Sequence, residues 1–191
     1  WVQRARGCRM SGLARHREAL AYLLTLATGD VPMVRRDAFV GLREMRRDGE
    51  PLEHPRLAEV LLAGLHDIYY EARATAAEAI VELAGDLPLE AREQLTARLA
   101  RLAGDAQFEV RMAVCTALAR VADQTEPTAS ALVRLHFDPV WKVRGALFEA
   151  YAHLAERGVL APHEARAALD SILITANGYL TEYQIRHHRN E

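Results

Sequence analysis

The sequence predicts an all-α protein, a solenoid of about four to five helical hairpins, and two observations carry that expectation. One is a recurring signature in which an acid stands six residues, and an aromatic three residues, before an arginine. It reads Asp67-Ile-Tyr-Tyr70-Glu-Ala-Arg73, Asp105-Ala-Gln-Phe108-Glu-Val-Arg111 and Asp138-Pro-Val-Trp141-Lys-Val-Arg144. Asp30-Val-Pro-Met-Val-Arg35 is a fourth copy, one residue shorter. Successive arginines lie 38, 38 and 33 residues apart, the length of two short helices with their turns. The second observation is that the residues after each arginine repeat one apolar helical face. Three residues on are Ala38, Ala76, Val114 and Leu147; four on, Phe39, Ala77, Cys115 and Phe148; seven on, Leu42, Ile80, Leu118 and Tyr151; ten on, Met45, Leu83, Val121 and Leu154. Six on are the small residues Gly41, Ala79, Ala117 and Ala150, as expected where a neighbouring helix approaches closely.

Helices of a second kind run between these. They carry Leu20, Leu23 and Leu24; Leu57, Leu61 and Leu65; Leu95, Leu99 and Leu102; Leu132 and Leu135; and Leu169, Ile172 and Leu173. Four of the five open near Pro55, Pro88, Pro127 or Pro162, and proline is tolerated in a first helical turn because the amide it lacks has no intrahelical partner there. The chain therefore reads as outer helix, turn, inner helix, repeated over 11–50, 51–86, 87–123, 124–158 and 159–191 within a single 1–191 array. At the two ends, Trp1-Val-Gln-Arg4 and Tyr183-Gln-Ile-Arg186 repeat the aromatic-to-arginine interval, and the expectation is a segment of a longer chain.

These motifs resemble the short bacterial HEAT type of the HEAT and armadillo-like repeat family, firmly over 11–160 and loosely beyond. The resemblance implies a right-handed α-α superhelix with first helices convex and second helices concave. It also implies that Asp30, Asp67, Asp105 and Asp138 cap the inner helices while Arg35, Arg73, Arg111 and Arg144 bridge neighbouring acids. Aspartate at a helix start accepts orphan amides, and arginine offers a planar fork of donors, so the chemistry fits those roles.

Composition excludes more than it selects. The chain has 191 residues, 50% of them hydrophobic and 6% aromatic, with a formal net charge of −2. The longest apolar runs fall short of the roughly 18 residues of a membrane span. Two cysteines, Cys8 and Cys115, make no disulfide framework, and a cytoplasmic setting is expected. Residues 1–50 hold ten arginines against six acids, and the remainder fourteen bases against twenty acids. Arg43, Arg46 and Arg47, with the run Arg4, Arg6, Arg9, Arg15 and Arg17, are the basic patches.

The expected function is a non-catalytic scaffold that binds a protein, or another domain of the same polypeptide, along its concave helix face. Candidate contact residues, one, five or eight positions after the arginines, are Arg36, Val40, Arg43, Glu78, Val81, Met112, Thr116 and Glu149. They are mixed and partly small, whereas a groove that tracks phosphates needs bases along its length. A nucleic-acid module centred on the N-terminal arginines is the alternative, as is a HEAT-type lyase or modification factor. Within the resembled family, aromatic-lined glycosylases would use a stripe such as Tyr70, Phe108 and Trp141, and di-iron hydroxylases several His-Glu pairs. Here His163-Glu164 stands alone, and adjacent His187 and His188 diverge by about 100° on a helix. No catalytic residue, cofactor or metal is expected.

Overall fold

A computed structural model describes residues 1–47, 50–122 and 126–175. Among them the fold is entirely helical: α1 (Val2–Leu13), α2 (Leu20–Gly29), α3 (Pro32–Arg46), α4 (Leu57–Gly64), α5 (Tyr70–Leu83), α6 (Leu89–Leu102), α7 (Phe108–Val121), α8 (Glu126–His136), α9 (Trp141–Glu156) and α10 (Pro162–Thr175). The chain divides into two compact units, Trp1–Arg98 and Leu99–Glu191, with the division inside α6.

In the first unit the inner helices stack in the order α1, α3, α5, and α2 packs on α4 as the outer layer. In the second unit α7 packs on α9, and α10 packs on both α8 and α9. Every apolar and small position of the fourfold inner-helix pattern is buried, from Ala38 and Phe39 in α3 to Tyr151 and Leu154 in α9. The outer leucines are buried as well, except Leu20, Leu169 and Leu173, which are half-buried. The prolines sit at outer-helix starts as their missing amides require: Pro162 is the first residue of α10, and Pro88 immediately precedes α6.

In the first unit α1 and α3 approach each other through their backbones. A Cβ built on Gly12 would lie 2.4 Å from the carbonyl oxygen of Gly41, and one built on Gly41 would lie 2.4 Å from that of Cys8. The two helices therefore meet backbone to backbone, with Ala5 and Cys8 filling the remaining contact. Gly41→Ala has no side chain to push aside and must separate the helices. It should destabilise the chain by about 1–3 kcal/mol in urea denaturation, the usual cost of overpacking a filled core. A change within about 0.5 kcal/mol, typical of the surface, would mean that α1 is free to move away.

Candidate functional site

The signature residues come together at the turns that open the inner helices. In each turn the aspartate does not cap the helix by bonding amides of its first turn, as the resemblance implied. Its carboxylate accepts the amide of the N-cap residue itself: Asp67 from Tyr69 (2.8 Å), Asp105 from Gln107 (2.9 Å) and Asp138 from Val140 (2.9 Å). In the shorter copy Asp30 takes the amide of Val31 at 2.7 Å, and Val31 is again the N-cap. In the three longer copies these are Asx-type turns, in which a short acidic side chain closes a loop on its own backbone two residues on. Each places the aspartate just outside the helix, with its outer lone pairs available.

The arginine one turn into each inner helix is fastened by one edge of its guanidinium to its own turn. Its Nη1 donates to the backbone carbonyl of its own aspartate: Arg35 to Asp30 (2.6 Å), Arg73 to Asp67 (2.8 Å), Arg111 to Asp105 (2.7 Å) and Arg144 to Asp138 (2.5 Å). In α3 and α7 the opposite edge grips the aspartate of the following hairpin. Arg35 holds Asp67 through Nε and Nη2 at 2.5 and 2.6 Å, and Arg111 holds Asp138 at 2.5 and 3.0 Å. Arg4 of α1 holds Asp30 in the same way at 2.6 and 3.0 Å, in a more exposed position. Planar fork-to-carboxylate pairing of this kind is specific in direction as well as favourable in energy. The hydrogen bonds to Asp67 and Asp138 hold the Arg35 and Arg111 guanidinium groups above their already high ordinary pKa.

The candidate contact residues on the inner helices occupy a half-exposed row. In α3 and α5 that row is filled by ion pairs: between the hairpins Arg36 pairs with Glu71 (2.5 Å) and Arg43 with Glu78, and within α3 Arg36 pairs with buried Asp37 (2.8 Å) and Arg43 with Glu44. Arg9 of α1 reaches the same Asp37 at 2.8 Å. Val40 and Val81 are half-buried between these pairs. In the second unit Met112 is half-buried, while Thr116 and Glu149 are exposed.

The basic patches are largely neutralised inside the fold. Arg46 bonds Asp86 at 2.7 Å, Arg47 lies 3.8 Å from Glu44, and Arg17 bonds Glu50 at 2.9 Å and two carbonyls nearby. Arg6 and Arg15 are exposed. A phosphate backbone needs guanidinium groups with free valence, so few of the N-terminal arginines are available to it.

The aromatic stripe opens the inner helices: Tyr70, Phe108 and Trp141 are the first residues of α5, α7 and α9, each half-buried. Glu164 turns back on its own helix start, accepting the Ala161 amide at 2.8 Å, and so caps α10. His187 and His188 lie outside the described residues. Among the described residues no group of three or more His, Cys, Asp or Glu side chains converges as metal ligands. No described helix is long and apolar enough to cross a membrane. Both cysteines are buried thiols, and burial pushes Cys8 up to about 11 and Cys115 up to about 12, far from a reactive thiolate at neutral pH.

Residues 58–152 match the family model for HEAT repeats. The chain is a HEAT-repeat protein. No curated protein and no solved structure matches it. The matched stretch runs from the start of α4 into the second half of α9 and holds three of the four signature turns. HEAT repeats are built by stacking hairpins, and the arginine forks are the polar part of that stack.

Sequence reading missed one buried polar pair. His136, at the end of α8, and Tyr151, at an apolar register position of α9, share a hydrogen bond of 2.5 Å between Nε2 and the hydroxyl, with the rings edge to face. The available signal was a tyrosine standing where the other repeats have Leu or Ile, opposite a histidine four residues after Leu132.

Two predictions follow from this geometry. Arg111→Ala strands the Asp138 carboxylate, only 5% exposed, together with the Asp105 carbonyl. It should cost roughly 2–4 kcal/mol in equilibrium denaturation, because removing one partner leaves the other charge buried alone. A loss below about 0.5 kcal/mol would place Arg111 among ordinary surface residues. The second prediction concerns pH. Burial pushes the His136 imidazole below its ordinary value of 6.5. The folded state thus favours the neutral ring, and the stability this gives is complete above pH 6.5 and erodes as pH falls towards the folded value. Urea midpoints should drop as pH falls below 6.5, and the drop should shrink in His136→Gln. An unchanged slope in that variant would assign the acid sensitivity to other groups.

Proposed function

We propose that this HEAT-repeat chain is a non-catalytic scaffold that binds a protein segment on the inner-helix faces of its units. The observation that supports this most is the division of labour on each inner helix. The apolar face is sealed completely in the core, which leaves the row at Arg36, Val40, Arg43, Glu78, Val81, Met112, Thr116 and Glu149 without a packing duty on the apolar side. In the first unit the row presents paired charges flanking two valines, and in the second it presents a thioether, a hydroxyl and a carboxylate. Such a mixed, half-polar strip suits peptide backbone and side chains, which need hydrogen-bonding groups interleaved with small apolar contacts.

The nucleic-acid reading is weakened by the same ion pairs, since Arg43 and Arg46 are held by Glu78, Glu44 and Asp86. Protein partners, and no cofactor, belong to the scaffold reading.

The test uses a partner captured by the native chain. Replacing Glu78, Thr116 and Glu149 together by Arg should reduce its binding at least about tenfold, because like charge placed at an interface costs several kcal/mol. Stability should change by less than about 1 kcal/mol, since Thr116 and Glu149 are exposed and Glu78 is half-exposed, where polar contacts contribute little. Replacing Arg43, Arg46 and Arg47 by Glu is the opposing arm. Loss of binding there, with normal binding by the first variant, would transfer the function to the basic N-terminal region and sink the inner-face reading.

A further inference from the structure

The inner rows of the two units share one register and treat their charges in opposite ways. In the first unit the cross-helix pairs are closed. Arg36, one residue after the signature arginine of α3, holds Glu71, two residues before that of α5, at 2.5 Å, and Arg43 holds Glu78 further along. In the second unit Met112 of α7 stands in the place of Arg36, and Lys142 of α9 in the place of Glu71. A thioether cannot pair with an ammonium. Lys142 is exposed, and its one recorded polar contact is with the ring of neighbouring Trp141, 5.8 Å from the centroid. Glu109 stands on α7 where Glu71 stands on α5, and it too lacks a partner: it is half-buried, with Oε2 buried and making no hydrogen bond. A buried carboxylate oxygen without a donor is costly, and native folds keep few of them.

We propose that the inner row of the second unit is the docking strip, and that its occupant is an extended segment of a partner protein bearing an arginine for Glu109 and, two residues on, a carboxylate for Lys142. The inference rests on the scaffold reading and specifies the charge pattern of the partner. In the first unit an incoming charge has to displace the Arg36–Glu71 and Arg43–Glu78 pairs, whereas in the second Glu109 and Lys142 have no ion to give up. Charge complementarity therefore places the segment on the second unit.

The spacing follows from the helices. Glu109 and Lys142 are each the second residue of their helix, and α7 packs on α9. Packed helix axes lie about 8–10 Å apart. In an extended chain, side chains two residues apart leave on the same side about 7 Å from one another, and the length of an arginine and a glutamate covers the remainder. The two signs also fix direction, since the arginine end must lie over α7 and the acidic end over α9. Met112 and Thr116, three and seven residues after Glu109, lie on the same face of α7 and supply an apolar and a hydroxyl contact beneath the segment.

The probes are the blocked pentapeptide Gly-Arg-Ala-Glu-Gly and two neutralised forms, one with citrulline for its arginine and one with glutamine for its glutamate. The readout is the side-chain NMR signal of Lys142 in the intact chain, which assigns itself because the sequence holds no other lysine. The charged peptide should shift that signal saturably, and each neutralised form should bind at least about tenfold more weakly, because a charge left without its complement at an interface is penalised. Glu109→Gln should erase the difference between the arginine and citrulline peptides. Equal binding by all three peptides would overturn the proposal, as would the same shift with guanidinium and acetate ions at matched concentration. A Lys142 signal that moves when the chain alone is concentrated gives the strip to a second copy and overturns it as well. The captured partner separates this inference from the scaffold reading. A partner lost on replacing Glu78, Thr116 and Glu149 by Arg, yet bound normally by Glu109→Gln and Lys142→Met, keeps the inner face and sinks the charge pattern.

Discussion

The guanidinium with two working edges is the interaction on which the helical stack depends. One edge is fastened to the main chain of its own turn, and the other reaches the side chain of the next turn. Apolar packing alone is non-directional and roughly proportional to area, so it permits one hairpin to slide or rotate on another with little penalty. A bidentate fork anchored on a carbonyl permits neither. In α3 and α7 the arginine thus converts a greasy contact into one with a defined register. Because each gripped aspartate is itself closed on the N-cap amide, the register passes from side chain to backbone and so to the direction of the next helix.

Much of this was legible in the sequence because it follows the helical period. The inner apolar face repeats at three, four, seven and ten residues after each arginine, and each of those positions is buried. The aspartate and arginine were recognisable for the same reason: they recur with the repeat. What escaped does not recur. Asp37 is buried between Arg9 and Arg36, but the other copies have no acid two residues after the arginine. Glu71 and Asp86 take arginines from a neighbouring helix, and such pairing depends on helix rotation and side-chain reach, neither of which a single sequence encodes. Tyr151 passed as a core residue because its ring does pack in the core; only its hydroxyl required the histidine. The aspartates were assigned the right place and a different bond, since a carboxylate next to a helix start has several orphan amides within reach.

The uneven charge of the chain has a structural explanation within the first unit. The arginine excess of the N-terminal fifty residues is drawn onto acids of the same unit, including Asp67, Glu71, Glu78 and Asp86 from the hairpin that follows. A surplus that looks like a polyanion-binding surface in the linear sequence becomes inter-helix fastening in the fold. Counting charges by segment therefore misleads in a repeat protein, where each hairpin meets the next one in space.

The shortened first copy carries a lesson about how such arrays diversify. Asp30 stands one residue nearer its helix than Asp67, Asp105 and Asp138 do, yet its carboxylate reaches the same recipient, the N-cap amide. What is held constant is the endpoint of the bond and not the number of residues spanned. Single-residue insertions and deletions in this turn are consequently open to drift, and a profile written with fixed spacing will fall out of step at such a repeat while the spatial rung persists.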